Sequence, residues 1–208
     1  MNCESCSDVM TSVHNQDYFH CQSCNAYRFP TDLANSVEPI APLGQSVDAV
    51  CPKCHVSLET GMIFDRWEVC FCNNCRGVLI QSDCVQVVTH ELRAAYKGLD
   101  DPPRTICQDE LNCRRNCPAC AKPLDTHAYY GAGNVVIDSC CHCALTWLDH
   151  GELNTMIRAP GSRPDRDSSP IVTAYKPAAT IRPVTMLEYI AEVLCKVIAR
   201  LTPAPLRW

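Results

Sequence analysis

The sequence is poor in the features that would place a protein in a membrane or along a nucleic acid. Its start, Met1-Asn2-Cys3-Glu4-Ser5-Cys6, has neither a basic stretch nor an apolar run, so no secretory signal is expected. No run of 18 uncharged apolar residues occurs, which argues against a spanning helix. Positive charge is scarce, with 18 Lys and Arg against 23 Asp and Glu. The deficit is uneven: residues 1–157 carry 10 Lys and Arg against 19 Asp and Glu, a balance of −9, and residues 158–208 carry 8 against 4, a balance of +4. Affinity for nucleic acid comes mostly from neutralising phosphates, so this balance disfavours a general nucleic-acid binder. No glycine-rich phosphate loop and no activated nucleophile can be read from the chain, so it is not expected to be an enzyme.

What the chain has in abundance is cysteine: 18 in 208 residues, many in pairs two residues apart. That spacing suits a metal knuckle better than a disulfide framework. With no secretory signal, a reducing, cytoplasmic location is expected, where thiols stay available to metal. The pairs nest three times. Cys3 and Cys6 are followed by Cys21 and Cys24, Cys51 and Cys54 by Cys72 and Cys75, and Cys117 and Cys120 by Cys140 and Cys143, with gaps of 14, 17 and 19 residues between pairs. Repetition at this scale marks one small unit used more than once. A thioredoxin-like redox reading of Cys-x-x-Cys requires a βαβ context, which is missing here.

Each unit carries a β-like run before its second pair: Asp17–His20, Arg66–Phe71 and Asn134–Ile137. In the middle one, Trp67, Val69 and Phe71 alternate with Arg66, Glu68 and Cys70, as in a half-buried strand. Five residues beyond each last cysteine stands an apolar residue, Phe29, Ile80 or Leu148. Units of 30–40 residues bury too little surface to fold alone. A tetrahedral zinc ion held by four thiolates supplies the missing free energy, on the order of 10–16 kcal/mol in small zinc-finger peptides. Twelve thiolates on three Zn²⁺ would lower the net charge from −5 to about −11. The last two units run into helix signals. Ser82 or Asp83 is expected to cap a helix reaching about Tyr96, and Asp149 to cap one with Glu152 three residues on. Pro30 directly after Phe29 leaves the first unit without a helix there.

The third unit is similar to a known family. Cys117, Pro118, Cys120, Val136, Ile137, Asp138, Cys140, Cys143, Trp147, Leu148, Asp149, Gly151, Glu152 and Leu153 together resemble the transcription-factor-IIB-type zinc-binding domain. The likeness is strong over 117–157 and looser over 51–88, where Leu79-Ile80-Gln81 replaces Trp-Leu-Asp and Cys84 replaces Glu. Over 3–29 only the ligand frame is shared. The resemblance implies a ribbon fold and a four-cysteine zinc site. It does not transfer a role in transcription initiation.

The expected fold class is a small metal-stabilised α+β array of tandem zinc ribbons, β-hairpins with Cys₄ sites, with a helix after each of the last two. Ribbons span 1–30, 49–97 and 115–158. A Pro-rich linker covers 159–183, and an amphipathic helix covers 184–202 behind the capping box Thr185-Met186-Leu187-Glu188. The predicted cofactors are three structural Zn²⁺ ions on Cys3, Cys6, Cys21 and Cys24, on Cys51, Cys54, Cys72 and Cys75, and on Cys117, Cys120, Cys140 and Cys143. Iron also suits four sulfurs.

Cys70, Cys84, Cys107, Cys113, Cys141 and Cys195 are left over, by default as buried small hydrophobes. A further site at Cys107 and Cys113, or a swap of Cys70 or Cys141 with a neighbouring ligand, is the alternative. His20, His55 and His142 are read as turn or outer-shell residues, Trp147 and Leu148 as core, and Arg114, Arg115 and Lys122 as solvated surface. Closed four-sulfur sites lack the open position that catalysis needs. The function expected is a non-enzymatic zinc-binding adaptor with a protein partner engaged through 184–202, or self-association. The runner-up is a nucleic-acid-associated, transcription-linked factor, and a weaker third is thiol redox or metal handling. The balanced polar face of the terminal helix weakens peripheral membrane contact.

Overall fold

The structure, a computed structural model, describes residues 1–13, 18–33, 36 and 38–163. Asp17, Cys195, the helix expected over 184–202 and all but the first residues of the Pro-rich linker lie outside the described residues. What is described is a set of small cysteine-rich units built from short strands and three helices.

The first unit is a three-stranded antiparallel sheet of two-residue strands: β1 (Thr11–Ser12), β2 (Phe19–His20) and β3 (Tyr27–Arg28). Its own core is only Cys3, Met10 and Cys21, with Phe19 and Ala26 packed against them.

The second and third units are not separate beads. Strands β4 (Ala41–Val50), β5 (Ser57–Ile63), β6 (Trp67–Phe71), β7 (Val78–Gln81), β8 (Asp125–Ala128), β9 (Val136–Cys140) and β10 (Leu145–Leu148) form one seven-stranded antiparallel sheet. Its order is β4-β5-β6-β7-β10-β9-β8, so the last strand of each unit pairs with the last strand of the other. The register sets Leu79 opposite Trp147. These residues occupy the same place in their units, four positions after the last cysteine. A residue facing its own counterpart is the signature of an approximate two-fold axis, as in an isologous dimer interface. β4 also begins eight residues ahead of the boundary expected at 49.

Side-chain alternation divides the core across this sheet. Val69, Phe71, Val78, Ile80 and Leu148 point to one face, where α1 (Ser82–Ala95) and α3 (Glu152–Arg158) cover them with Val85, Val88, Leu153 and Met156. Leu79, Trp147, Cys70 and Leu145 point to the other, among the cysteines of both units. Burial on two sides corrects the half-buried reading of β6: Cys70 is 0 % exposed. The strand alternates between two cores rather than between core and water.

Helix boundaries agree with the sequence signals, but the caps differ. Gln81, not Ser82 or Asp83, stands at the N-cap of α1 and makes no side-chain cap. Ser82 Oγ instead bonds Thr146 Oγ1 at 2.8 Å across the junction of the units. Half of the box expected at α3 forms: the Asp149 N–H donates to Glu152 Oε2 at 2.7 Å, while the Asp149 side chain turns elsewhere. The cap comes from outside both units. Glu38 Oε1 accepts the Gly151 and Asn154 N–H groups at 3.0 and 2.9 Å. At the other end of α3, Arg93 of α1 donates Nη1 to the carbonyls of Met156 and Ala159 at 2.7 and 3.0 Å. A carboxylate at the N-terminus and a guanidinium at the C-terminus both complement the helix dipole. A third, short helix, α2 (Gln108–Leu111), lies in the segment joining the two units.

Candidate metal centres

Six Cys-x-x-Cys turns build the sites, and each repeats one backbone device. The residue directly after the second cysteine adopts positive φ: Ser7, Asn25, His55, Arg76, Ala121 and Ala144, all between 53° and 63°. In four of the turns that residue's N–H returns to the carbonyl of the first cysteine, as His55 does to Cys51 at 3.0 Å and Arg76 to Cys72 at 2.7 Å. The N–H of the second cysteine also points at the first cysteine's sulfur in Cys54 to Cys51, Cys75 to Cys72 and Cys143 to Cys140, at 3.3 to 3.5 Å. Amide donors of this kind favour the charged thiolate. They account for His55 as a turn residue.

The turns bring the twelve cysteines together in three tetrads: Cys3, Cys6, Cys21 and Cys24; Cys51, Cys54, Cys72 and Cys75; Cys117, Cys120, Cys140 and Cys143. Within each, the four sulfurs lie within 4.8 Å of one another. Zinc–sulfur bonds of about 2.3 Å in a tetrahedron put the sulfurs about 3.8 Å apart. Separations here include 3.5 Å for Cys3–Cys24 and Cys6–Cys21, 3.7 Å for Cys51–Cys75 and 3.6 Å for Cys120–Cys140. A disulfide would need about 2.05 Å. The donor set therefore fits three structural zinc ions.

Within each tetrad the thiols divide, one drawn toward the thiolate while others are pushed up. Hydrogen bonds from the Cys51 and Cys75 thiols pull Cys72 down to about 4. Backbone N–H groups of Cys6 and Ser5 pull Cys3 down to about 6. Burial pushes Cys117 up to about 12. The non-ligand thiols Cys70 and Cys84 are also pushed up to about 12 by burial, which leaves them inert core residues. Cys141 is exposed and stays out of the tetrad beside it, and neither Cys107 nor Cys113 joins a metal-binding group among the described residues.

Around the third tetrad lies a buried polar network that sequence reading missed. Arg115, expected on the solvated surface, has a side chain only 15 % exposed. It donates Nη1 to Asp138 Oδ2 at 2.7 Å and Nη2 to Asp149 Oδ2 at 2.8 Å. Thr126 Oγ1 donates to the other Asp138 oxygen at 2.6 Å, and Trp147 Nε1 to Asp149 Oδ1 at 3.1 Å. Lys53 of the second unit stands 3.6 Å from Asp149. Burial opposes ionisation of Asp149, but Lys53 and Arg115 hold it below the usual carboxylate range. Glu152 is pushed well above that range, first by burial and then by the Asp149 charge. The one legible hint was the pair Asp138 and Asp149, carboxylates in an otherwise apolar strand setting that demand a cation.

Trp147 and Leu148 are core, as expected, at 0 % and 1 % exposure. A Cβ on Gly77 would overlap the Trp147 ring, so the indole needs a glycine beneath it. Asp138, Trp147, Asp149, Gly151 and Glu152 are thus joined by internal bonds and packing, with Gly151 at φ 90° opening α3.

These features define a zinc-binding domain of the ribbon class. Residues 116–159 match the transcription factor zinc-finger family, the transcription-factor-IIB-type zinc ribbon. No curated protein and no solved structure gives a significant match. No helix among the described residues is long and apolar enough to cross a membrane.

Proposed function

We propose that the protein is a non-enzymatic zinc-binding adaptor whose surfaces engage another protein, made of three tandem ribbons. The observation that carries this reading is the fate of six of the nine described arginines. Arg28, Arg66, Arg104, Arg115, Arg158 and Arg163 each pair with a carboxylate of this chain: Glu4, Glu91, Glu110, Asp138 with Asp149, Asp101 and Asp100. Guanidinium groups so neutralised contribute little to phosphate binding, and the net charge is negative before metal thiolates are counted. Four sulfurs around each ion leave no open position for catalysis. Between the first knuckles of the second and third units runs a groove of about 640 Å³. Pro52, Pro118 and Pro123 line it, with Val50 46 % exposed at its edge. His55, Arg114 and Arg115 share the lining, so the surface suits an extended protein segment that carries both apolar and acidic side chains.

The second reading, a transcription-linked factor that contacts nucleic acid, rests on the family match at 116–159. Fluorescence anisotropy with duplex and single-stranded DNA and RNA over a salt series separates the two. The adaptor reading expects only weak binding, about 10⁻⁴–10⁻⁶ M or poorer at physiological salt. Tight binding with a steep salt slope would replace it with the second reading. Deletion of 184–208 then tests whether the partner, or self-association, depends on the amphipathic segment.

A further inference from the structure

The three tetrads are unequal in a way that matters for metal. In the second and third, every cysteine is buried or half-buried, and both are knit into the seven-stranded sheet and its shared core. In the first, Cys6 and Cys24 are exposed, the strands are two residues long, and the core holds three buried residues. A unit so small has almost nothing but metal to hold it folded.

That unit is also docked. The ring of His150, which is itself 6 % exposed, lies against Phe29 at 4.9 Å and Tyr18 at 5.5 Å between centroids, both edge-on. Arg76 of the second unit stacks over Phe29 at 4.1 Å, and Lys53 over Tyr27 at 5.2 Å. Under the same contact sit the Glu38–His150 pair, 3.2 Å apart, and the Glu38 cap of α3. Val13 and Tyr18 of the first unit form one wall of a cleft of about 400 Å³, whose other walls include Lys53, Arg115, Asp149 and His150.

We propose that the first tetrad is an exchangeable site for zinc and other soft cations, and that its ion holds the N-terminal unit closed as a lid over this charged cleft. Loss of the ion unfolds β1, β2 and β3, removes Tyr18 and Phe29 from His150, and opens the cleft while the sheet of the other two units keeps its metal. The proposal goes beyond the adaptor reading and stands whichever class of partner is found.

The test uses the zinc-loaded full chain. A chromophoric chelator, 4-(2-pyridylazo)resorcinol, reports zinc release, and hydrogen exchange read by mass spectrometry reports which segments open. One zinc of three should leave in a separate phase, at least about tenfold faster than the others, a barrier difference of about 1.4 kcal/mol. With it, peptides from 1–29 and the amides of Gly151 and Asn154 should lose protection, while β6, β7, β9 and β10 keep theirs. Cys24→Ser should bind two zinc ions and show the open pattern from the start. Tyr18→Ala with Phe29→Ala should retain three ions yet release the first still faster, because the dock no longer restrains the unit. Release of all three in one phase, first release from the second or third tetrad, or first release with Gly151 and Asn154 still protected would each overturn the proposal.

Discussion

Arg115 shows how much of this molecule depends on single side chains. Its guanidinium bridges the buried Asp138 and the half-buried Asp149, and burial alone would disfavour its charge, but Asp149 and Asp138 hold its pKa above the ordinary value. Removing one partner of such a network leaves uncompensated buried charge, so Arg115→Ala should destabilise by about 3–5 kcal/mol, measured by denaturant unfolding of the zinc-loaded protein. Glu152 behaves in the opposite sense. Its folded pKa is raised, so its contribution is complete below the unfolded value of about 4.3 and is lost as pH rises through the folded value. Glu152→Gln keeps an oxygen to accept the Asp149 N–H but carries no charge. Its stability relative to wild type should therefore increase as pH rises above about 4.3 and level off once Glu152 is ionised in the folded protein. No rise anywhere above the unfolded value of about 4.3 would show that Glu152 ionises without penalty. At Gly77 the constraint is steric: Gly77→Ala must displace the Trp147 ring, with an expected loss of about 2–4 kcal/mol and a shift in tryptophan emission.

At the scale of elements, α3 is the most informative. It has seven residues and no side-chain cap of its own, yet it is bracketed by Glu38 at one end and Arg93 at the other. Glu38→Ala strips the acceptor from two backbone N–H groups and leaves His150 without its carboxylate. About 2 kcal/mol should be lost, with amide protection at Gly151 and Asn154 falling first under hydrogen exchange. These dependences also mark where sequence reading reaches its limit. The ligand frame was legible because four thiolates converging on one ion require that spacing, and strands β6 and β9 were legible from their apolar runs. Helices α1 and α3 were placed to within a few residues because their apolar faces and last-turn breakers are local signals. Glu38 is 113 residues from Gly151, and Arg93 63 from Met156, so no local pattern announces either cap. The pairing of β7 with β10 was missed for the same reason. Each unit looks self-contained along the chain, and only the odd burial of Leu79 and Cys70 on the metal side shows that a second unit covers them.

At the scale of the whole molecule, the pairing across the approximate two-fold axis changes what counts as a folding unit. A bead model makes each ribbon depend on its own ion. Here β7 and β10 sit at the centre of one sheet, α1 and α3 meet over one core, and Trp147 of the third unit fills space above Gly77 of the second. Cutting between 97 and 115 would strip β7 of β10, bare Leu79 on one piece and Leu145 and Trp147 on the other, and part α1 from α3. Those three large side chains, at about 1.5–3 kcal/mol apiece, together with the parted α1–α3 contact, exceed what a ribbon of some 40 residues holds in reserve. The second and third ions should therefore act together although each is bound by its own four sulfurs. A fragment spanning 36–163 should bind two zinc ions and unfold in one cooperative transition, whereas 115–163 alone with one equivalent of zinc should show shallow unfolding and poorly dispersed amide resonances. The sharper form of the experiment is Cys143→Ser in the full chain. Independent ribbons would lose one ion and leave Cys51, Cys54, Cys72 and Cys75 protected from thiol reagents. A shared core predicts that those four thiols become reactive as well, because the metal that orders the third unit also holds the far half of the sheet against which the second unit is packed.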